Sequence, residues 1–512
     1  MKNRTPLLLL ALFALAAFGI NSVMFTEMSH EMAVTFRLSL DETDRVKIAM
    51  MIAQVLGYLF SPLLVRHFGA YRLLMFALGG GLACNIVLYL PMPLPGLFWL
   101  TWVCAGFSMS IMLVTINLLL LHTFDARWMP AIIALTLLFS TLLPMGAYPW
   151  LVADVLEQFN WSLFCVLASW LYFSALIILS LFKPISVTLK TKKKSGALFY
   201  VPATAAISLT IYLLMRGGFY NWFDSVQFAH LAAITAALIL LVVYLLVRHR
   251  HQNTASMQIH ARFKTNVFMY NAFLAGFAVM ASSALFSNFL KKALHYNALS
   301  AGHALLPSFV AMVAGMLVSV LVYYFRRQLA DAVVPFGVLM ILISVKQFSE
   351  LPSYAGAESL PLPMLLRGFG VGMLNVSVTI AVLMYFNADD RLEGIANFYL
   401  FRTMGGVIGG AFLSRVTQQH SAQASGELGR TLEASSQSFS AYQHALNSEL
   451  LTNGYLPQQA LGMSQIHGVV KEQTITLALN NSLIMFIVSI LVLAPILLVG
   501  KKLVAKKESN MR

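Results

Sequence analysis

The chain has 512 residues, 59% of them hydrophobic and only 11% charged, with mean hydropathy +0.76 and formal net charge +14. A soluble fold of this length carries about 25% charged residues to cover its surface, so a water-soluble globular protein is excluded and a polytopic membrane protein is expected. The basic excess alone would admit a nucleic-acid partner, but no basic patch interleaved with aromatics accompanies it.

Apolar runs long enough to cross a bilayer recur at 6–28, 45–65, 71–92, 96–121, 129–153, 160–182, 196–215, 226–247, 265–290, 301–325, 329–348, 362–386, 394–416 and 476–499. The first opens like a secretory signal, MKNRTPLLLLALFALAAFGIN, yet no small-residue cleavage site follows before Met28, so it is read as a spanner. That gives an all-α polytopic protein of fourteen spanners. Cys84, Cys104 and Cys165 all fall inside runs with no paired spacing, which supports neither a disulfide framework nor a zinc site. Lys2, Arg4, Arg66, Arg72, Arg127, Lys190 to Lys194, Arg248, Arg262, Lys264, Arg326, Arg391 and the tail Lys501 to Lys507 collect on one side. By the positive-inside rule that side, with both termini, is cytoplasmic. The one long external segment is 417–475, rich in Gln, Ser, Ala and Glu. Parts of it show helical spacing, and it is either a solvated connector or a functional loop.

Between the seventh and eighth runs stands RGGFYNWFDS, residues 216–225. Its Arg216, Gly217, Trp222, Phe223 and Ser225 keep a pattern R-G-x-x-x-x-W-F-x-S, and its aromatics suit the membrane interface. PLLVRHFGAYR at 62–72 forms a short cytoplasmic turn through Leu64, Arg66, Gly69 and Arg72, DVLEQFNWSLF at 154–164 an external one. NFYLFRTMGGVIGG at 397–410 brings Asn397 and Phe398 before a glycine-rich stretch. In this order the motifs resemble the fourteen-spanner drug:proton antiporters of the major facilitator superfamily, EmrB/QacA type. The resemblance implies two six-helix bundles, 1–182 and 265–512, parted by an inserted hairpin at 183–264 with basic linkers, and a gating role for the 62–72 turn. The chain departs from the pattern in places. Asn21, a candidate to contact substrate or pair with a charge, occupies a position where relatives often carry an acid, and Trp102 to Gly106 lack an arginine. Pro144, Gly146 and Pro149 are what remains of the antiporter signature in the fifth run.

No phosphate-binding loop, zincin motif or nucleophile elbow is present, so neither enzyme nor cofactor is expected, and an ion-coupled secondary transporter remains. Proton coupling needs a titratable group reached alternately from both sides. The candidates are Glu27, at the outer end of the first run, and Asp154, after the fifth; each also reads as a wet helix end or a turn anchor. Arg402 lies about nine residues into its run, roughly 13 Å deep at 1.5 Å per residue. It either holds a negative charge or pairs between helices. Arg367 either binds or snorkels outward. Because the interior charges of the second half are arginines, neutral or anionic amphipathic substrates are favoured over dications. The resulting expectation is an inner-membrane exporter of amphipathic drugs driven by proton antiport, working with a periplasmic adaptor and outer-membrane channel. A dedicated metabolite exporter or uptake carrier is the nearest alternative, and a non-transporting sensor or scaffold the alternative of another class.

Overall fold

The computed structural model describes residues 4–90, 94–182, 197–248, 260, 262–326, 330–352, 355–387, 389–431 and 459–509, with positions 440, 441, 444, 445, 448 and 452. The linker KTKKKSG at 190–196, most of the second linker (249–259) and most of 432–458 within the segment expected at 417–475 lie outside them.

The described residues form helices in this order: α1 (Arg4–Glu27), α2 (Ser29–Thr35), α3 (Leu40–Phe68), α4 (Ala70–Tyr89), α5 (Pro95–Thr123), α6 (Met129–Leu137), α7 (Leu143–Gly146), α8 (Tyr148–Gln158) and α9 (Ser162–Phe182). After these come α10 (Ala197–Arg216), α11 (Val226–Arg248), α12 (Phe263–Gly276), α13 (Ser282–Asn288), α14 (Ala298–Phe325), α15 (Ala330–Ser349), α16 (Pro361–Leu383), α17 (Arg391–Thr431) and α18 (Gln459–Ser509). No strand occurs among them. Local chemistry sets several boundaries. Ser39 and Glu42 cap α3 reciprocally, Ser39 Oγ accepting from the Glu42 backbone at 3.2 Å and the Glu42 carboxylate accepting from Ser39 N at 2.8 Å. Gly69 turns α3 into α4 at φ +81°, a conformation that costs a residue without Cβ little.

Twelve helical segments among the described residues are long and apolar enough to span a membrane. Two of the fourteen expected runs fall outside that set. Val333–Ser349 is shorter, and Arg391–Thr431 carries Arg391, Glu393, Arg402 and Arg415 among its apolar residues. The fifth and ninth runs are not smooth helices: π-helical turns interrupt them at Leu138–Leu142, Phe277–Ala281 and Phe289–Ala293.

Helix extends into both ends of the 417–475 segment, where parts of the sequence show helical spacing. The segment expected as an external connector from 417 stays helical through Thr431, and α18 is helical from Gln459. At 1.5 Å per residue α17 and α18 are roughly 60 and 75 Å long, well beyond a hydrocarbon core of about 30 Å. Hydropathy marked where lipid contact ends, and the Ala, Gln, Glu and Leu residues there favour helix regardless.

Packing falls into two groups. α1, α3, α4, α5 and α9 pack on one another, as do α12, α14, α15, α16, α17 and α18. α10 and α11 pair together, with α10 against both α3 and α17. The groups meet directly where α3 and α5 touch α17 and where α8 touches α14.

Candidate functional site: a polar seam between the two helix groups

Gln54 and Tyr58 stand one turn apart on α3, so they share a face, and Gln54 Nε2 donates to Tyr58 Oη at 3.3 Å. Tyr58 stacks on Tyr399 of α17 with ring centroids 5.7 Å apart. Asn117 of α5 donates to Tyr399 Oη at 3.2 Å. One turn further along α17, Arg402 donates to Asn375 Oδ1 of α16 at 2.6 Å, and its guanidinium lies 5.9 Å from the Phe398 ring. These side chains bring four helices together at one seam.

Close backbone contact makes the seam possible. A Cβ on Gly276 would lie 1.9 Å from the Arg402 carbonyl oxygen, and one on Gly405 would lie 2.0 Å from that of Phe273. Glycine at both positions therefore lets α12 and α17 press backbone to backbone, which holds Arg402 at its depth.

Arg402 is 4% exposed and Arg367 only 1%. Arg367 donates to Ser308 Oγ of α14 at 3.3 Å and to Ser283 Oγ of α13, with its guanidinium 4.9 Å from the Phe286 ring. It does not snorkel; it sits on neutral hydroxyls inside the second group. Placing an arginine at the centre of a membrane helix costs at least about 2.5 kcal/mol, so Arg402, deep in its run, is an expense that packing alone does not require, and Arg367 is buried nearer a helix end.

Contacts between the groups close both ends of the seam. At the basic end, Arg66 pairs with Glu393 of α17, Arg391 Nη1 donates to the Leu121 carbonyl at 2.6 Å, and Tyr324 Oη donates to that of Arg127 at 2.5 Å. At the opposite end, Lys291 Nζ lies 2.9 Å from Glu27 Oε2, and Trp150 Nε1 donates to His303 Nε2 at 3.3 Å.

The residues singled out from sequence are not gathered in one place. Glu27 belongs to the outer contact, and Asp154 is half-buried on α8 with no hydrogen bond or ion pair among the described residues. Asn21 is fully buried and donates to Tyr172 Oη at 3.1 Å, away from the arginines. In the 62–72 turn, Arg66 makes the inter-group ion pair, Leu64 is half-buried and Arg72 is exposed. Arg216 is buried, reaches Asp41 of α3 at 2.6 Å and covers the Phe219 ring at 4.0 Å. A Cβ on Gly217 would strike the Trp222 ring at 2.8 Å; that ring faces Arg415 of α17 at 5.8 Å. The 216–225 turn thus touches both groups, with Phe223 exposed and the Ser225 carbonyl opening α11. Asn397 and Phe398 are both buried on α17, and only Phe398 lies at the seam. Sequence reasoning missed Gln54, Tyr58, Asn117, Asn375 and Tyr399. Asparagines inside otherwise apolar runs were the signal available for Asn117 and Asn375. Among the described residues no cluster of His, Cys, Asp and Glu is placed to hold a metal ion.

No family model and no curated protein sequence matches the chain. Solved structures do. A POT family peptide transporter in an auto-inhibited form superposes with TM-score 0.54 at 14% identity, covering 95% of this chain and 96% of its own. The nucleoside transporter NupG matches with TM-score 0.52 at 12% identity, covering 95% and 99%. The human organic anion transporter MFSD10 matches with TM-score 0.52 at 12% identity, covering 80% and 92%. At such identities the likeness speaks of fold alone, and the chain has the all-helical major facilitator fold in which these membrane transporters are built.

Proposed function

We propose that the protein is a secondary transporter of the bacterial inner membrane, with both termini cytoplasmic, that exports amphipathic compounds by alternating access coupled to proton antiport. The observation that carries this reading is the polar seam between two helix groups, where Asn117 and Tyr58 of one meet Tyr399 of the other, closed at each end by different inter-group contacts. A carrier that rocks two halves about a central site needs both: polar groups at the junction and separable contacts above and below. Glu27 supplies the coupling carboxylate, since its protonation releases Lys291 at the outer contact. Asp154, unpaired and half-buried, is the second proton-accepting candidate. The helical ends of α17 and α18 beyond the membrane form the surface for a periplasmic adaptor and its outer-membrane channel. An uptake carrier is the second reading, because the same two sets of contacts serve movement in either direction.

Everted membrane vesicles containing the full chain test this with a panel of anionic, neutral and cationic fluorescent amphipaths. Energised vesicles should accumulate at least one compound, and dissipation of the pH gradient or of the membrane potential in separate arms should slow accumulation. Glu27→Gln should weaken dependence on the pH gradient. If no compound moves in either direction across an intact gradient, transport is refuted and a sensor or scaffold takes its place.

A further inference from the structure

We infer that the compound carried is an amphipathic organic anion, whose charged group is received by Arg402 together with Asn375, and that Arg367 forms a second station for it nearer the α16 N-terminus. This rests on the transport reading and adds the substrate's charge to it.

Within the fourteen apolar runs the only acidic residues are Glu27 and Asp331, each within three residues of a run's end. Arg402 is the ninth residue of its run and Arg367 the sixth of its own, both are buried, and neither makes an ion pair among the described residues. Their partners are an amide oxygen, two hydroxyls and aromatic faces, none of which carries a negative charge. Buried charges are paired as a rule, because a lone one loses its hydration with no return.

Hydrogen bonding leans the same way. Asn375 spends its one acceptor oxygen on Arg402, and its Nδ2 is buried with no acceptor. Arg367 Nε is buried and unpaired as well. Both places are rich in donors and short of acceptors. A carboxylate, sulfonate or phosphate supplies the missing acceptors and the missing negative charge at once, and planar guanidinium–oxyanion pairs are among the strongest such contacts. A cationic drug would add a like charge and leave every unpaired donor unpaired.

The surroundings fix the rest of the molecule. Phe398 flanks Arg402, and the Tyr58–Tyr399 stack lies one turn away, so an aromatic or aliphatic body has apolar and π surface beside the charged group. Asn375 follows Arg367 by eight residues on α16, a rise of roughly 12 Å. That separation makes the two arginines successive stations along α16.

The test uses the full chain in lipid nanodiscs and measures binding by fluorescence polarisation of dye-sized probes: an aryl carboxylate, an aryl sulfonate and a cationic rhodamine ester. The anions should bind and the cation should not. Arg402→Gln should weaken anion binding roughly tenfold or more, Arg402→Lys less, and Lys502→Gln not at all. Arg367→Gln should slow anion transport in proteoliposomes while leaving most of the binding intact. Thermal unfolding of each variant separates lost binding from lost folding; should Arg402→Gln not fold, Asn375→Ala carries the same prediction. Failure of every anion to bind, preference for the cation, or anion binding unchanged in a folded Arg402→Gln protein would overturn the inference. So would displacement by chloride at equal concentration, which would make the arginine the seat of an inorganic counter-ion. Anion binding without transport would instead leave the anion site at Arg402 and Asn375 standing while refuting the transport reading, and with it carriage of the anion.

Discussion

Gly276→Ala tests whether the backbone contact between α12 and α17 positions Arg402. The added methyl would lie 1.9 Å from the Arg402 carbonyl oxygen, 1.5 Å inside the 3.4 Å at which ordinary contact begins. The obstacle is backbone, not a side-chain tip, so one helix must move. Gly405 faces the Phe273 carbonyl in the same way, at 2.0 Å, so the helices have no slack on the other side of the contact. Overpacking of this kind costs roughly 1–3 kcal/mol, against which Ala in place of Gly in a helix returns up to about 1 kcal/mol. The net expectation is a loss of up to about 2 kcal/mol. Gly410→Ala is the control: the same propensity gain, with nothing within 4 Å of the new methyl. Thermal unfolding in detergent should place Gly276→Ala below the parent and Gly410→Ala level with it or above. Since the displaced atom belongs to Arg402 itself, Gly276→Ala should also lose affinity for an anionic probe. A Gly276→Ala protein that melts no lower than Gly410→Ala and binds as the parent does would refute the reasoning.

Two further outcomes are expected from the contacts at the ends of the seam. Glu393→Gln removes the negative partner of Arg66 from a site where Glu393 is 1% exposed; the expected cost is roughly 3 kcal/mol in thermal unfolding, and the exchanged pair Arg66→Glu with Glu393→Arg should recover part of it. A cysteine at Ser225, in a background with Cys84, Cys104 and Cys165 replaced, should react with an impermeant maleimide on intact spheroplasts, whereas one at Lys502 should react only after permeabilisation. The reverse pattern would invert the orientation read from the basic residues.

The spanning helices were legible because lipid demands long apolar runs whatever the tertiary packing. Where expectation and structure part, the causes are physical. Hydropathy reports the solvent around a helix, so it lost α17 and α18 where they leave the membrane while still helical. The π-helical turn at Phe277–Ala281 adds a residue and rotates the remainder of the helix by roughly 100°; a regular periodicity therefore misplaces Ser283, one of the hydroxyls on Arg367. Arg402 was legible by its depth, and Asn375 was not, because its role depends on α16 lying beside α17. The motif at 216–225 was legible as a turn. That Arg216 reaches α3 while Trp222 faces α17 required the three-dimensional arrangement.

A cationic interior also bears on how the work is done. With carboxylates confined to the ends of the runs, a proton cannot be exchanged at the arginine level by an acidic side chain there, so Glu27 would have to act at the outer contact. An anionic load changes the electrostatics of the crossing itself. On the anion reading it would neutralise the guanidinium that holds it, so the loaded centre would be the cheaper one to desolvate, and occupancy would favour the closed arrangement in which both ends of the seam are in contact. A membrane potential negative inside then drives the anion outward by about 2.3 kcal/mol per charge at 100 mV, before any proton gradient is added. For an anion, then, the potential arm of the vesicle assay should weigh at least as much as the pH arm. An antiported proton enters as the anion leaves, so it adds to the charge moved instead of cancelling it; transport of this anion that is indifferent to potential would refute proton antiport and require a cation carried outward with the anion.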